Sequence, residues 1–307
     1  MTSEVIVRRD LEKDLERIKS LVLSGLASKQ SKIAYEKGLD SFLGWYKRTD
    51  QQVLNKACVL AYRAMLQNTI SKYGRKLSSA TVNLRLAAVR RLVVELSDNG
   101  LIDPMLAYQI GKVKGLKSEG IRTGNWLAKK EAQSVLRKPD TDTLKGLRDR
   151  ALLWVGINSG LRRSEIAGLT IDKVVMRESR WVLLDIVGKG GRVRTVPISA
   201  NCKEALDAWT KKADITSGRV FRSLIPGKGI GESMTSQAVQ DVIVKYAGVS
   251  AHDLRRTYAK LARQGGSEIE QIQLSLGHAS IQTTERYLGT EQSLTSAPCD
   301  HQGLKLQ

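Results

Sequence analysis

Cysteine and histidine each occur only three times among 307 residues, and their scarcity excludes several chemistries at once. Cys58, Cys202 and Cys299 are widely spaced and odd in number, so they form neither a metal-ligand pattern nor a disulfide framework. A reduced, cytoplasmic setting fits that usage. There is no run of about 18 apolar residues, so no membrane span is expected. The opening stretch, MTSEVIVRRDLEKDLERIK, carries acids and lacks an apolar core, which argues against a secretory leader. The sequence also lacks a P-loop, a dinucleotide-binding glycine fingerprint, a His–Glu metal helix and a Gly-x-Ser-x-Gly elbow. It has no internal repeat of about 20–50 residues and no low-complexity tract.

Acid is short relative to base. Lys and Arg number 50 against 31 Asp and Glu, a net charge of +19. A surplus of that size suits a polyanionic partner, of which nucleic acid is the commonest. It is not confined to a tail: residues 1–120 hold 21 cations and 12 acids, the remainder 29 and 19. Both halves are therefore expected to touch phosphates, in the manner of a clamp around a duplex. The apolar share of 41% is that of a globular protein, and the length suffices for two domains.

The hydrophobic spacing predicts a mainly α protein with a small antiparallel β-sheet. Residues 1–110 read as a small all-helical domain, and the charge across it favours DNA contact. Leu39, Phe42, Leu43 and Tyr46 recur at helical spacing, and so do Val82, Leu86, Val89, Val93 and Leu96, behind a cap at Ser78 or Ser79. Between them, residues 53–70 are expected to form a helix with Leu54, Ala57, Ala61, Met65 and Leu66 on its apolar side. Arg75 and Lys76 in a basic loop, with Arg85, Arg90 and Arg91 on the following helix, are candidate DNA contacts. Gly100 and Pro104 are read as breaking the helical pattern. Residues 111–125, rich in glycine and cations, read as a basic linker. Residues 126–290 form the second domain, with two or three short antiparallel strands between about 171 and 199 and the GKGG segment as their last hairpin. Residues 291–307 are a weakly patterned tail.

Four pieces stand in order in the second domain: GLRRSE at 160–165, VGKGGRVRTVP at 187–197, HDLRRT at 252–257 and LGHASIQTTERY at 276–287. Together they resemble the tyrosine recombinase, or phage integrase, family of site-specific DNA recombinases. The resemblance implies catalytic roles for Arg162, Lys189, His252, Arg255, His278 and the nucleophile Tyr287, with Glu165 supporting the first arginine. Arg163 and Arg256, beside the two arginines, are candidate phosphate contacts. It further implies double-stranded DNA with inverted half-sites as substrate, no cofactor and no metal. The expected assembly is a homotetramer on two sites, monomeric or weakly associated when free, with the tail exchanged between protomers. The resemblance also implies that residues 1–110 are the helical, core-type DNA-binding domain; no separate arm-binding domain is expected ahead of it, which favours the simpler recombinases.

The residue types suit that chemistry. Two guanidiniums can grip the nonbridging oxygens of a phosphodiester as charge builds on them. A tyrosine hydroxyl, with an ordinary pKa of about 10, needs a base or strongly positive surroundings, and His252 can take its proton. Lys189 on a hairpin can give a proton to the leaving 5′-oxygen, and His278 can bond a nonbridging oxygen or the tyrosine. Two rival readings use the same motifs: a type IB topoisomerase-like nicking and resealing enzyme, and a non-catalytic DNA-binding protein on the same scaffold.

Overall fold

The computed structural model describes residues 8–49, 53–71, 74–117, 125–227 and 229–288, with backbone alone at 8–13, 189, 286 and 287. The chain divides into two compact units, Met1–Ile121 and Arg122–Gln307.

The first unit is helical. Its helices are α1 (Arg8–Ser24), α2 (Lys29–Arg48), α3 (Lys56–Asn68), α4 (Ser79–Asp98) and α5 (Pro104–Gly111). Side-chain oxygens of Ser28, Asn55, Ser78 and Asp103 accept from backbone N–H groups in the first turns of α2 to α5, which fixes where each begins. The stripes expected on α2 and α4 are buried. On α3 the core face is Cys58, Val59, Tyr62 and Leu66, while Ala57 is exposed. The aromatic ring wins the interior because it buries far more apolar surface than an alanine. Tyr62 meets Phe42 edge-on at 5.0 Å and donates to Ser41 Oγ.

Pro104 opens a helix rather than merely ending one. Its missing N–H falls in the first turn, where no intrahelical partner exists, and Asp103 caps Met105 and Leu106. Beyond α5 the chain is pinned to the unit. Arg90 donates to the Val113 carbonyl, Arg63 to that of Lys114, and Asn83 bonds both backbone groups of Leu116.

The second unit is built on α7 (Leu144–Ser159), which is buried on nearly every side. Even its Arg148 and Asp149 are inside, paired with each other, and Asp149 also accepts from Tyr246. Around α7 lie α6 (Lys129–Arg137), α8 (Arg163–Gly168), α9 (Ala200–Lys212), α10 (Ser236–Ala247) and α11 (Ala251–Gln264). Three antiparallel strands, β1 (Val174–Arg177), β2 (Arg180–Val187) and β3 (Val193–Pro197), form one sheet in sequence order. The turn between β2 and β3 is a 3-10 turn over Lys189–Gly191, where the hairpin was expected. The short hairpin β4 (Leu224–Ile225) and β5 (Gly229–Ile230) has too few residues for alternation to announce it. Helices α12 (Ile269–Leu276) and α13 (Ile281–Leu288) close the unit over a small cluster of Ala259, Ile272, Leu276 and Leu288. Among the described residues no helix is long and apolar enough to cross a membrane, and no three His, Cys, Asp or Glu side chains stand together as metal ligands.

Candidate active site

Helix α7 ends at Gly160 in the left-handed conformation, φ +59°. Only a residue without Cβ fits there, since an added Cβ would fall 2.6 Å from the Tyr258 ring and 3.0 Å from Leu276. The reversal turns the chain into α8, whose N-cap is Arg162. Gly160→Ala should therefore cost about 2–4 kcal/mol from strain and overpacking together. Urea unfolding measures it, and a loss under about 0.5 kcal/mol would show that the turn relaxes freely.

Glu165, in the first turn of α8, accepts from the Arg162 backbone N–H at 2.9 Å and from Arg162 Nη1 at 2.7 Å. Its side chain is 4% exposed. Burial pushes its pKa up, but the hydrogen bond from Arg194 and the bonds from Arg162 outweigh this and hold it below the ordinary carboxylate value. The side chain thus remains an anion and fixes Arg162, which stays 32% exposed.

Arg255 lies on α11 and is 1% exposed. Its Nη1 donates to the Gly160 carbonyl at 2.6 Å, and its Nη2 to the Leu276 carbonyl. These carbonyls end α7 and α12, where no intrahelical N–H is available. One guanidinium therefore joins two helix C-termini beside Arg162.

Both histidines feel the charge of this cationic centre. His252 is exposed in the first turn of α11. Partial burial and then the charges of Arg256 and Arg255 lower its pKa, with Arg162 adding to them and Asp253 opposing. His278 follows Gly277, the left-handed C-cap of α12 with φ +64°. Its Nδ1 lies 3.0 Å from the Oγ1 of Thr284, a fully buried residue of α13. Burial, followed by Arg255, Arg162, Arg194 and His252, lowers its pKa to about 4. Both imidazoles are thus favoured as neutral groups near pH 7.

A stability effect follows from these shifts. Unfolded histidine titrates near 6.5, so between about pH 6.5 and 4 the unfolded chain binds more protons than the folded one. The histidine contribution is fully present above about pH 6.5 and is lost as pH falls toward 4, while Glu165 adds its own loss lower still. Urea midpoints should fall across that window, and His278→Gln should flatten the slope. An unchanged slope would contradict the His278 shift.

The remaining expected residues divide. Lys189 lies in the 3-10 turn after Gly188, where an added Cβ would meet Arg162 Nη1 at 3.3 Å and Arg194 Nη1 at 3.2 Å. The hairpin root thus reaches the arginines, while the Lys189 side chain lies outside the described residues. Tyr287 lies in the last turn of α13, and its side chain is likewise outside them. Arg163 is exposed, with Nη1 3.5 Å from Gln237, and Arg256 pairs with Asp253 at 3.8 Å. In the first unit, Arg75 and Lys76 are exposed in a turn closed by the Ser71 N–H to Arg75 carbonyl bond. Arg85 donates to Ser41, Arg90 to the Val113 carbonyl, and Arg91 pairs with Glu95.

Sequence reasoning passed over Arg194. It forks onto Glu165, with Nη1 to Oε1 at 3.2 Å and Nη2 to Oε2 at 2.8 Å, and its Nε donates to the Ser275 carbonyl at 2.7 Å. The signal was present in the alternation: Arg194 shares the inward phase of β3 with Val196, while Val193, Thr195 and Pro197 face out. A cation in an inward strand position asks for a buried partner.

Comparisons with known proteins point to one family. Residues 125–293 match the Phage integrase family. Tyrosine recombinase XerC of Xylella fastidiosa strain M23 is 32% identical over 262 residues, covering 83% of this chain and 84% of that protein. Two solved structures share the fold. A lambda integrase dimer bound to a COC' core site superposes with a TM-score of 0.67 at 18% identity, over 92% of this chain and 77% of that one. XerH site-specific recombinase bound to a palindromic difH substrate, in a post-cleavage complex, gives 0.66 at 19%, over 92% and 80%. With the family match across more than half its length and a XerC relative along most of it, the chain belongs to the phage integrase family of tyrosine recombinases.

Proposed function

We propose that the protein is a site-specific DNA recombinase that cuts and rejoins strands through a 3′-phosphotyrosine at Tyr287. The observation that carries this reading is the convergence of Arg162, Arg255, His252 and His278 in one cationic centre, beside the hairpin of Lys189 and the helix of Tyr287. Arg162, held by Glu165 through its backbone N–H and one guanidinium nitrogen, and Arg255 stabilise the charge that develops on the nonbridging oxygens. Neutral His252 accepts the proton of the Tyr287 hydroxyl as its oxygen attacks phosphorus. Lys189 protonates the departing 5′-oxygen, and His278, steadied by Thr284, bonds a nonbridging oxygen. One ester replaces another, so the broken strand can be rejoined to a different 5′-hydroxyl without an external energy source.

The substrate is duplex DNA with inverted half-sites, and the working assembly is a tetramer on two such sites. The net charge of +19 supports tight phosphate contact, with Arg163, Arg256, Arg75 and Lys76 as contacts at the surface. Incubation with supercoiled plasmid separates this reading from its rival. A plasmid with two copies of the site that the protein selects from random duplexes should yield recombinant products. A plasmid without the site should stay supercoiled, and efficient relaxation of it by a monomer would instead mark a type IB topoisomerase-like enzyme.

A further inference from the structure

All three nitrogens of the Arg194 guanidinium donate to fixed groups, and those groups belong to elements that carry other parts of the site. Two hold Glu165 on α8, the third holds the Ser275 carbonyl in the last turn of α12, and the side chain itself grows from β3 of the Lys189 hairpin. The side chain is 8% exposed. A buried cation is stable only when its donors are satisfied, and here every partner is a protein group.

Two consequences follow for neighbouring residues. Because Arg194 grips both carboxylate oxygens as a fork, the Arg162 guanidinium reaches Glu165 through Nη1 alone and keeps part of its surface open. At the other end, the Ser275 bond fixes the close of α12 just before His278, and the backbone of Gly277 rests on the Arg194 stem, where an added Cβ would lie 2.9 Å from Cδ.

We propose that Arg194 is a positioning residue for strand cleavage, its guanidinium locking Glu165 to the end of α12 so that Arg162 and His278 meet the phosphate in one fixed frame. The reaction invoked rests on the recombinase reading, but the frame can be tested without DNA. A lysine would keep the charge yet could not fork onto a carboxylate and also reach a carbonyl.

The test compares the full chain with Arg194→Lys and Arg194→Met by two measurements. The first is the single-turnover rate of covalent adduct formation on a nicked duplex carrying the selected site, set against affinity for the same duplex. Both variants should lose at least about 100-fold in rate while affinity stays within about threefold. The second is the His278 titration by NMR in the DNA-free protein. The charges on that imidazole are those of Arg255, Arg162, Arg194 and His252. Under the locking role its midpoint moves up from about 4 in both variants, because the lysine preserves the charge but not the tie. If the wild type forms no adduct, the recombinase reading fails and the titration alone decides the frame. A lysine variant with wild-type titration overturns the proposal, as do equal losses of rate and affinity. Should Arg194→Met not fold, the lysine variant carries both measurements.

Discussion

Tyr287→Phe should abolish the covalent protein–DNA adduct, lowering cleavage by at least about four orders of magnitude while leaving DNA affinity within about threefold. Only the hydroxyl is removed. The helix that carries residue 287 is anchored by other residues. Leu288 is buried in the cluster with Ala259, Ile272 and Leu276, and fully buried Thr284 bonds His278. At neutral pH on the order of one tyrosine in a thousand is ionised, so the surrounding cations and a neutral His252 are what would make the residue a nucleophile. Gel-shift affinity and denaturing-gel adduct assays on the same nicked duplex measure both quantities. Residual adduct in the Phe variant above about 1% of wild type would assign the attack to another residue.

Arg255→Ala should fail in two ways at once. Loss of its charge removes half of the proposed phosphate grip, which costs at least about 10³ in cleavage rate. Loss of its N–H groups leaves the buried carbonyls of Gly160 and Leu276 without their donor, which costs about 2–5 kcal/mol of stability. Arg162→Ala differs, because Arg162 is partly exposed and bonds a carboxylate that Arg194 also holds. It should lose cleavage with a much smaller change in the urea midpoint. Arg255→Lys keeps charge without the fork, and its stability should fall between the other two. An Arg255→Ala protein as stable as wild type would show that the two helix ends hold without it. Full stability together with full cleavage would remove Arg255 from the site.

The double role of Arg255 marks the limit of what the sequence shows. The pattern HDLRRT placed His252 and Arg255 one helical turn apart, and Arg162 and His278 were legible from their motifs. Nothing in the linear pattern says that Arg255 ends two helices, because its partners are backbone carbonyls, and every residue has one. Arg194 was hidden for a different reason. Its partner Glu165 lies 29 positions earlier and its other partner, Ser275, 81 later. Only the period-two phase of β3 pointed inward, and β3 has five residues.

The helices were legible where wide apolar stripes recur, as on α2 and α4. The phase of α3 was not, because a stripe of alanine and methionine competed with one built on Cys58 and Tyr62, and packing against Phe42 decided between them. At α5 the signal was there in Asp103-Pro104, a cap followed by a residue suited to the first helical position. Reading Pro104 only as a breaker overlooked it.

The most direct measurement is mass-spectrometric mapping of the trapped complex between the wild-type protein and a nicked duplex bearing its selected site. A peptide ending the α13 segment should carry the oligonucleotide on Tyr287, joined through a 3′-phosphate, with a free 5′-hydroxyl on the released strand. An adduct on another residue, a 5′-phosphate linkage, or cleavage with no covalent intermediate would contradict a Tyr287 nucleophile.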